Sequence, residues 1–119
     1  MQLQMEQMPG YLAARITGAG DEEEAERQFD LIAEHCKRTK NKKLLIDGTG
    51  VETHFSIVDR YYLAKKLWEG FALDRVKIAA VNTEEQLDPQ RFGELVAHNR
   101  NLNLRGFTDF QAAEKWLLE

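Results

Sequence analysis

Residues 43–48, Lys-Leu-Leu-Ile-Asp-Gly, decide the fold class of this 119-residue chain. Three consecutive apolar residues stand between a lysine and an aspartate followed by glycine, a pattern typical of a central parallel strand covered on both faces. Residues 76–81 repeat the pattern, and residues 102–107 form a third, weaker candidate. Because a block with helical apolar spacing follows each of these strands, the sequence predicts an α/β domain.

The N-terminal region predicts a hairpin that adds two strands. Leu3 and Met5 alternate with polar residues, Pro9 and Gly10 form a turn signal, and residues 11–17 resume an extended pattern. The predicted order of elements is ββαβαβαβα, within one domain that spans residues 1–119. We therefore expect a small mixed β-sheet with an N-terminal hairpin and helices packed against it.

Each predicted helix begins with a capping signal, in chain order Asp21 with Glu24, Ser56 with Asp59, Asp88 before Pro89, and Thr108 with Gln111. Gly70 is expected to end the second helix. The apolar stripe of the first helix is expected to bury Cys36, the single cysteine of the chain. With one cysteine an intramolecular disulfide is impossible, which favours a reducing compartment.

Composition excludes several classes of function. Sixteen Lys and Arg against twenty Asp and Glu give a net charge of -4, the wrong sign for a dedicated nucleic-acid binder. No apolar run approaches the ~20 residues of a membrane span, and the first residues lack the charged and apolar regions of a signal peptide. We therefore expect a cytoplasmic protein without an integral membrane segment.

The stretch Asp47-Gly48-Thr49-Gly50 is the most suggestive loop of the sequence. A carboxylate at a strand end followed by two glycines is suited to hold a phosphate or a cation. The favoured alternative is a turn that needs a positive φ at both glycines. Open parallel sheets bind ligands outside the carboxyl ends of their strands, so the binding rim is expected to comprise residues 47–56, 82–88 and 108–109.

No constellation of residues predicts catalysis, a metal site or a cofactor. His54, Ser56 and Asp47 lie within one loop and helix start, but a catalytic triad is defined by geometry rather than by nearness in sequence. His35 and Cys36 are adjacent on a helix and point about 100° apart, so they do not predict a shared metal. The sequence therefore favours a binding protein over an enzyme.

The second helix carries more apolar residues than one buried face requires. At 100° per residue the expected inward face consists of Ile57, Tyr61, Ala64, Leu67, Trp68 and Phe71. Val58, Tyr62 and Leu63 point elsewhere. Either neighbouring loops cover these three residues, or they form a subunit contact or the wall of a ligand site. A weak homodimer is the default partner, because twofold pairs are the commonest assembly of soluble chains.

The chain resembles the STAS domains, specifically the SpoIIAA-like branch related to anti-sigma-factor antagonists. The resemblance rests on the predicted element order, on residues 44–47 with Gly50 and Val51 leading into the helix at Ser56, and on the C-terminal residues 107–117. Such antagonists carry an Asp-Ser-Ser-Gly segment in which a kinase phosphorylates a serine. The corresponding segment here is Phe-Ser-Ile-Val at residues 55–58, in which the usual phosphoacceptor position falls on Ile57. Ser56 matches the first serine of the pair and is the one remaining candidate phosphoacceptor of the segment.

These observations together predict a non-enzymatic binding or regulatory module that acts through residues 47–56 and the following helix. The residues expected to bind a ligand or partner are Asp47, Gly48, Thr49, Gly50, Ser56, Val58, Tyr62 and Leu63. SpoIIAA-like proteins are also similar to the lipid-binding CRAL-TRIO fold. That similarity implies an alternative function, a carrier of a small apolar or lipid-like ligand that associates peripherally with membranes.

Overall fold

The computed structural model describes residues 1–71, 75–84, 86 and 103–119. In chain order, the elements of this part of the chain are β1 (Gln2–Met8), β2 (Tyr11–Gly18), α1 (Glu22–Thr39), β3 (Lys43–Val51), α2 (Ile57–Phe71), β4 (Lys77–Val81), β5 (Asn103–Phe107) and α3 (Phe110–Leu117). These elements confirm the predicted α/β class. The helix predicted to begin at Asp88 lies outside the described residues, so α3 corresponds to the fourth helix of the predicted order.

The five strands form one mixed sheet in the order β1-β2-β3-β4-β5. β1 and β2 are antiparallel and pair from Gln2 with Thr17 to Met8 with Tyr11, whereas every other neighbouring pair is parallel. Gly10 has a φ of +86° in the turn between β1 and β2, a backbone conformation that glycine adopts without strain. The predicted N-terminal hairpin and mixed sheet are therefore confirmed.

Helices cover both faces of the sheet, which explains the continuous apolar run in β3. Leu44 and Ile46 pack with residues of α1 and α2 in one core cluster. Leu45 points to the opposite face, as the alternation of side chains along a strand requires, and packs with Ala113 and Leu117 of α3. The three apolar residues of β3 thus contribute to two cores.

β3 extends further than the sequence predicted. The expected loop at residues 47–50 is part of the strand, because β2 continues to pair with it beyond a register shift, Thr17 with Gly50 and Gly18 with Val51. The positive-φ explanation of the two glycines is also wrong, since neither Gly48 nor Gly50 has a positive φ. A Cβ atom at Gly50 would lie 2.8 Å from Thr17 Cγ2, so a larger residue at this position would force the Thr17 side chain to move.

The helix ends agree only in part with the predicted caps. Asp21 Oδ1 accepts a hydrogen bond from the Glu24 N–H at 2.9 Å, as expected, but the Glu24 carboxylate accepts from the Met1 amino group. α2 includes Gly70 and ends at Phe71. α3 is capped by Asp109 rather than Thr108, because Asp109 has the extended backbone of a cap and its carboxylate accepts from two N–H groups of the first turn.

Candidate functional site

Asp47 lies on the α3 face of the sheet and both of its carboxylate oxygens have partners. Oδ2 lies 3.3 Å from Arg15 Nε, and Oδ1 accepts hydrogen bonds from the Thr49 N–H at 3.0 Å and the Thr49 hydroxyl at 2.7 Å. Asp47 and Arg15 line a shallow cleft with Leu45 and Phe110. The buried carboxylate therefore holds β2 and β3 together at this point.

Gly48 lies on the opposite face from Asp47. It lines a pocket beside α1 and α2 together with Ile46, as the alternation of residues along β3 requires. The sheet thus separates Asp47 and its partner Thr49 from Gly48. Residues 47–56 are thus divided between the two faces of the sheet, and their use in binding stays a prediction. Those that line the pocket are Gly48, Val51, Thr53, His54 and Phe55. Gly50 packs closely against Thr17.

Ser56 caps α2, as the sequence predicted. Its hydroxyl oxygen accepts a hydrogen bond from the Asp59 N–H at 3.1 Å, and its carbonyl oxygen accepts from the Arg60 N–H at 3.0 Å. The residue is exposed. This geometry accounts for Ser56 without a modification, and its use as a phosphoacceptor stays a prediction.

Acidic side chains from two helices meet near the start of α2. Partial desolvation, a hydrogen bond and charge repulsion from Asp59, and the nearby Glu26 raise the pKa of the Glu22 carboxyl. The negative charge beside Asp59 disfavours a phosphate group on the capping residue Ser56. Among the described residues no group of three or more His, Cys, Asp or Glu side chains is arranged to hold a metal ion.

Two of the three apolar residues predicted to lie outside the inward face of α2 are exposed. Val58 is 62% exposed and Tyr62 is 47% exposed, as expected, but Leu63 is only 9% exposed. The prediction that Leu63 belongs to the outward surface is wrong because the observed inward face has a different phase. That face contains Leu63, Ala64, Leu67 and Phe71. We call Val58 and Tyr62 the α2 surface.

A pocket of about 230 Å³ lies between α1, α2 and the carboxyl ends of β3 and β4. Its apolar lining residues include Ile16, Ala25, Phe29, Ile46, Val51, Phe55, Leu63, Ala64 and Leu67. The polar lining residues that the structure describes are Thr53, His54, Arg60, Asn82 and Gln86. The Gln86 amide donates to the carbonyl oxygens of Gly48 at 2.9 Å and Val51 at 3.1 Å, which fixes one side of the pocket.

Two solved structures share this architecture over nearly their whole length. An anti-sigma factor antagonist from Mycobacterium paratuberculosis is 14% identical with a TM-score of 0.67, and the match covers 99% of this chain and 94% of that chain. A DUF3478-family protein with a SpoIIAA-like fold from Shewanella loihica is 19% identical with a TM-score of 0.62, covering 98% and 92%. The chain has a SpoIIAA-like fold. No protein-family model matches the sequence, and no curated protein sequence matches it.

The SpoIIAA-like fold confirms, at the level of architecture, the resemblance that the sequence indicated. In this chain the helix after the central strand presents Val58 and Tyr62 outward and Leu63 towards the pocket. None of α1, α2 and α3 combines the length and apolar character that a membrane-spanning helix requires.

The expected rim of this SpoIIAA-like fold includes seven pocket residues, but the sequence did not predict the contribution of Arg60 or of α1; the seven are Gly48, Val51, Thr53, His54, Phe55, Asn82 and Gln86. The available signal was the position of Arg60, which precedes Leu63, Ala64 and Leu67 by three, four and seven residues. This spacing places a cation on the same helix face as three buried apolar residues. A charged residue in such a position indicates the edge of a cavity or of the core.

Proposed function

We propose that this protein is a non-enzymatic, cytoplasmic regulatory module that binds a protein partner through the α2 surface. The observation that carries the proposal is the exposure of two large apolar side chains, Val58 and Tyr62, one helical turn apart. The Tyr62 ring contacts the Tyr61 ring edge-on, with 5.6 Å between centroids and 78° between planes. A supported aromatic side chain beside an aliphatic one is typical of the centre of a protein interface.

Two other predicted residues, Asp47 and Ser56, have structural partners instead of a catalytic arrangement. The Asp47 carboxylate is engaged by Arg15 and Thr49, and the Ser56 hydroxyl caps α2. One structure that shares the fold is described as an anti-sigma factor antagonist. This description supports a protein as the partner of this chain.

Site-specific photo-crosslinking tests the proposal. A photoreactive phenylalanine analogue at position 62 should form a covalent adduct with one polypeptide in cells. The same analogue at Leu31, which is 45% exposed on α1, is the matched control and should form no such adduct. A partner with the mass of this chain identifies a homodimer. Failure of position 62 to form an adduct, or identical adducts from both positions, contradicts the proposal.

A second candidate function is carriage of a small apolar ligand, and the pocket beside α1 and α2 favours it. Mass spectrometry of an organic extract of freshly purified protein tests this function. We expect a small molecule in the wild-type extract and its loss in Ala64→Leu, which narrows the pocket.

The exposed basic residues Lys37, Arg38, Lys40 and Lys42 support peripheral association of such a carrier with anionic membranes. Co-sedimentation with anionic vesicles measures that association.

A further inference from the structure

The pocket contains an arginine in a largely apolar wall. Arg60 lies on the inward face of α2, where the neighbouring positions Leu63, Ala64 and Leu67 are buried. Residues three or four positions apart on a helix are neighbours on one face. Arg60 therefore lines the pocket rather than the outward α2 surface.

In the part of the chain that the structure describes, no carboxylate balances the charge of Arg60 inside the pocket. The lining residues within residues 1–71, 75–84, 86 and 103–119 include none with a carboxylate side chain. Within residues 1–71, 75–84, 86 and 103–119, no carboxylate forms an ion pair with Arg60. A guanidinium group offers paired donors that match the oxygens of a carboxylate or a phosphate. The charge of the pocket thus favours an anionic ligand.

The volume of the pocket limits the size of that ligand. An apolar cavity of about 150 Å³ holds one benzene ring. In proportion, a pocket of about 230 Å³ holds a ligand portion of about nine non-hydrogen atoms. Sites for drug-sized molecules occupy about 300–1,000 Å³, so the body of a two-chain lipid exceeds this space.

We infer that the pocket binds a small single-chain organic acid, with its tail between Phe29, Ile46 and Leu67 and its acid group at Arg60. This inference rests on the second candidate function and adds the chemical class of the ligand. Carboxylates and phosphate monoesters share the oxyanion head that Arg60 recognises. Octanoate has the required tail and head, octan-1-ol lacks only the charge, and octyl phosphate replaces the carboxylate.

Isothermal titration calorimetry with these three probes tests the inference. We expect the wild-type protein to bind octanoate or octyl phosphate at least about tenfold more tightly than octan-1-ol, the effect of a charge-assisted hydrogen bond. Arg60→Gln should remove this preference, and Arg60→Lys should retain part of it. Arg27→Gln makes the same charge change at an exposed position of α1 outside the pocket, and should bind like wild type. Thermal unfolding shows whether each variant is folded.

Each contrary result identifies what is wrong. Equal binding of the acids and octan-1-ol by the wild-type protein overturns the role of Arg60 and leaves the carrier function standing. Binding of none of the probes overturns both the inference and the carrier function. Dodecanoate binding more than about tenfold tighter than octanoate overturns the size limit, because the added carbons would then be buried. A preference for either acid over the alcohol, lost in Arg60→Gln, supports the inference and identifies the head group.

Discussion

Arg15 Nε lies 3.3 Å from Asp47 Oδ2, and this ion pair joins β2 to β3 on the face of the sheet that α3 covers. The Arg15 side chain is 59% exposed, whereas that of Asp47 is 12% exposed. The second carboxylate oxygen of Asp47 accepts two hydrogen bonds from Thr49. Asp47, which suggested a binding loop in the sequence, therefore joins β2 to β3. These strands support the pocket on the opposite face of the sheet.

Two substitutions separate the charge of Asp47 from its hydrogen bonds. Asp47→Asn keeps an oxygen for Thr49, and should lower the free energy of unfolding by less than about 1 kcal/mol, because an ion pair with an exposed partner contributes little. Asp47→Ala also leaves the Thr49 N–H without its acceptor and should cost about 1–3 kcal/mol. Urea denaturation measures both. Magnesium- or nucleotide-dependent hydrolysis that vanishes in Asp47→Asn would contradict the structural role.

Loss of the Ser56 cap should destabilise the protein measurably. Ser56→Ala removes the acceptor of the Asp59 N–H and should lower the free energy of unfolding by about 0.5–2 kcal/mol. Ser56→Thr keeps a hydroxyl and should retain most of the stability. Thermal unfolding of the two variants gives the comparison. An unchanged curve for Ser56→Ala, together with phosphate on Ser56 in cells, would replace the capping role by a signalling role.

Tyr11 should make the stability of the protein fall at alkaline pH. Burial, a 2.5 Å hydrogen bond to Glu114 and the charges of Glu114 and Glu6 raise the pKa of Tyr11 from 10.0 to about 12. The folded state thus holds the phenol proton more tightly than the unfolded state. The resulting stability is complete below pH 10 and is lost as the pH rises to about 12.

Tyr11→Phe removes this titration and should flatten the dependence of stability on pH over that window. Urea denaturation at a series of alkaline pH values measures the slope, and Tyr62→Phe is the control at an exposed tyrosine. Parallel slopes for wild type and Tyr11→Phe would show that Tyr11 does not carry the effect.

Glu22 should destabilise the protein at neutral pH. Its pKa is raised from 4.5 by partial desolvation and by the neighbouring Asp59, so the folded state favours the protonated carboxyl. The stability gained from protonation is present below pH 4.5 and is lost as the pH rises through the folded pKa. Glu22→Gln should therefore raise the melting temperature at neutral pH and have little effect in acid. Glu23→Gln, on an exposed residue of the same helical turn, is the control.

The sequence was sufficient to predict the architecture, because the apolar pattern of each segment agrees with the way that segment packs in the folded protein. The apolar run at residues 44–46 indicates a strand covered on both faces, and its side chains do pack in two cores. Asp21 and Ser56 were identifiable as caps, because a side-chain acceptor three residues before an N–H is a local relationship.

The details of the site depend on tertiary contacts, which cannot be predicted from the order of residues within one segment. Gly48 and Gly50 are turn signals in isolation, but pairing with β2 keeps them in an extended strand. The sequence predicted the wrong rotation of α2 about its axis. That prediction considered apolar residues alone, whereas the charged residue Arg60 lies on the inward face. Leu63 was assigned outward for the same reason, although it lines the pocket.

Native mass spectrometry of freshly purified protein tests the proposed partner-binding role of the α2 surface most directly. We predict that the wild-type chain carries a second polypeptide, and that Val58→Glu combined with Tyr62→Glu yields the single chain with an unchanged melting temperature, since both residues are exposed. Leu31→Glu, the same change on α1, should leave the complex intact. A wild-type spectrum that shows only the single chain, identical to that of the double variant, would contradict the account.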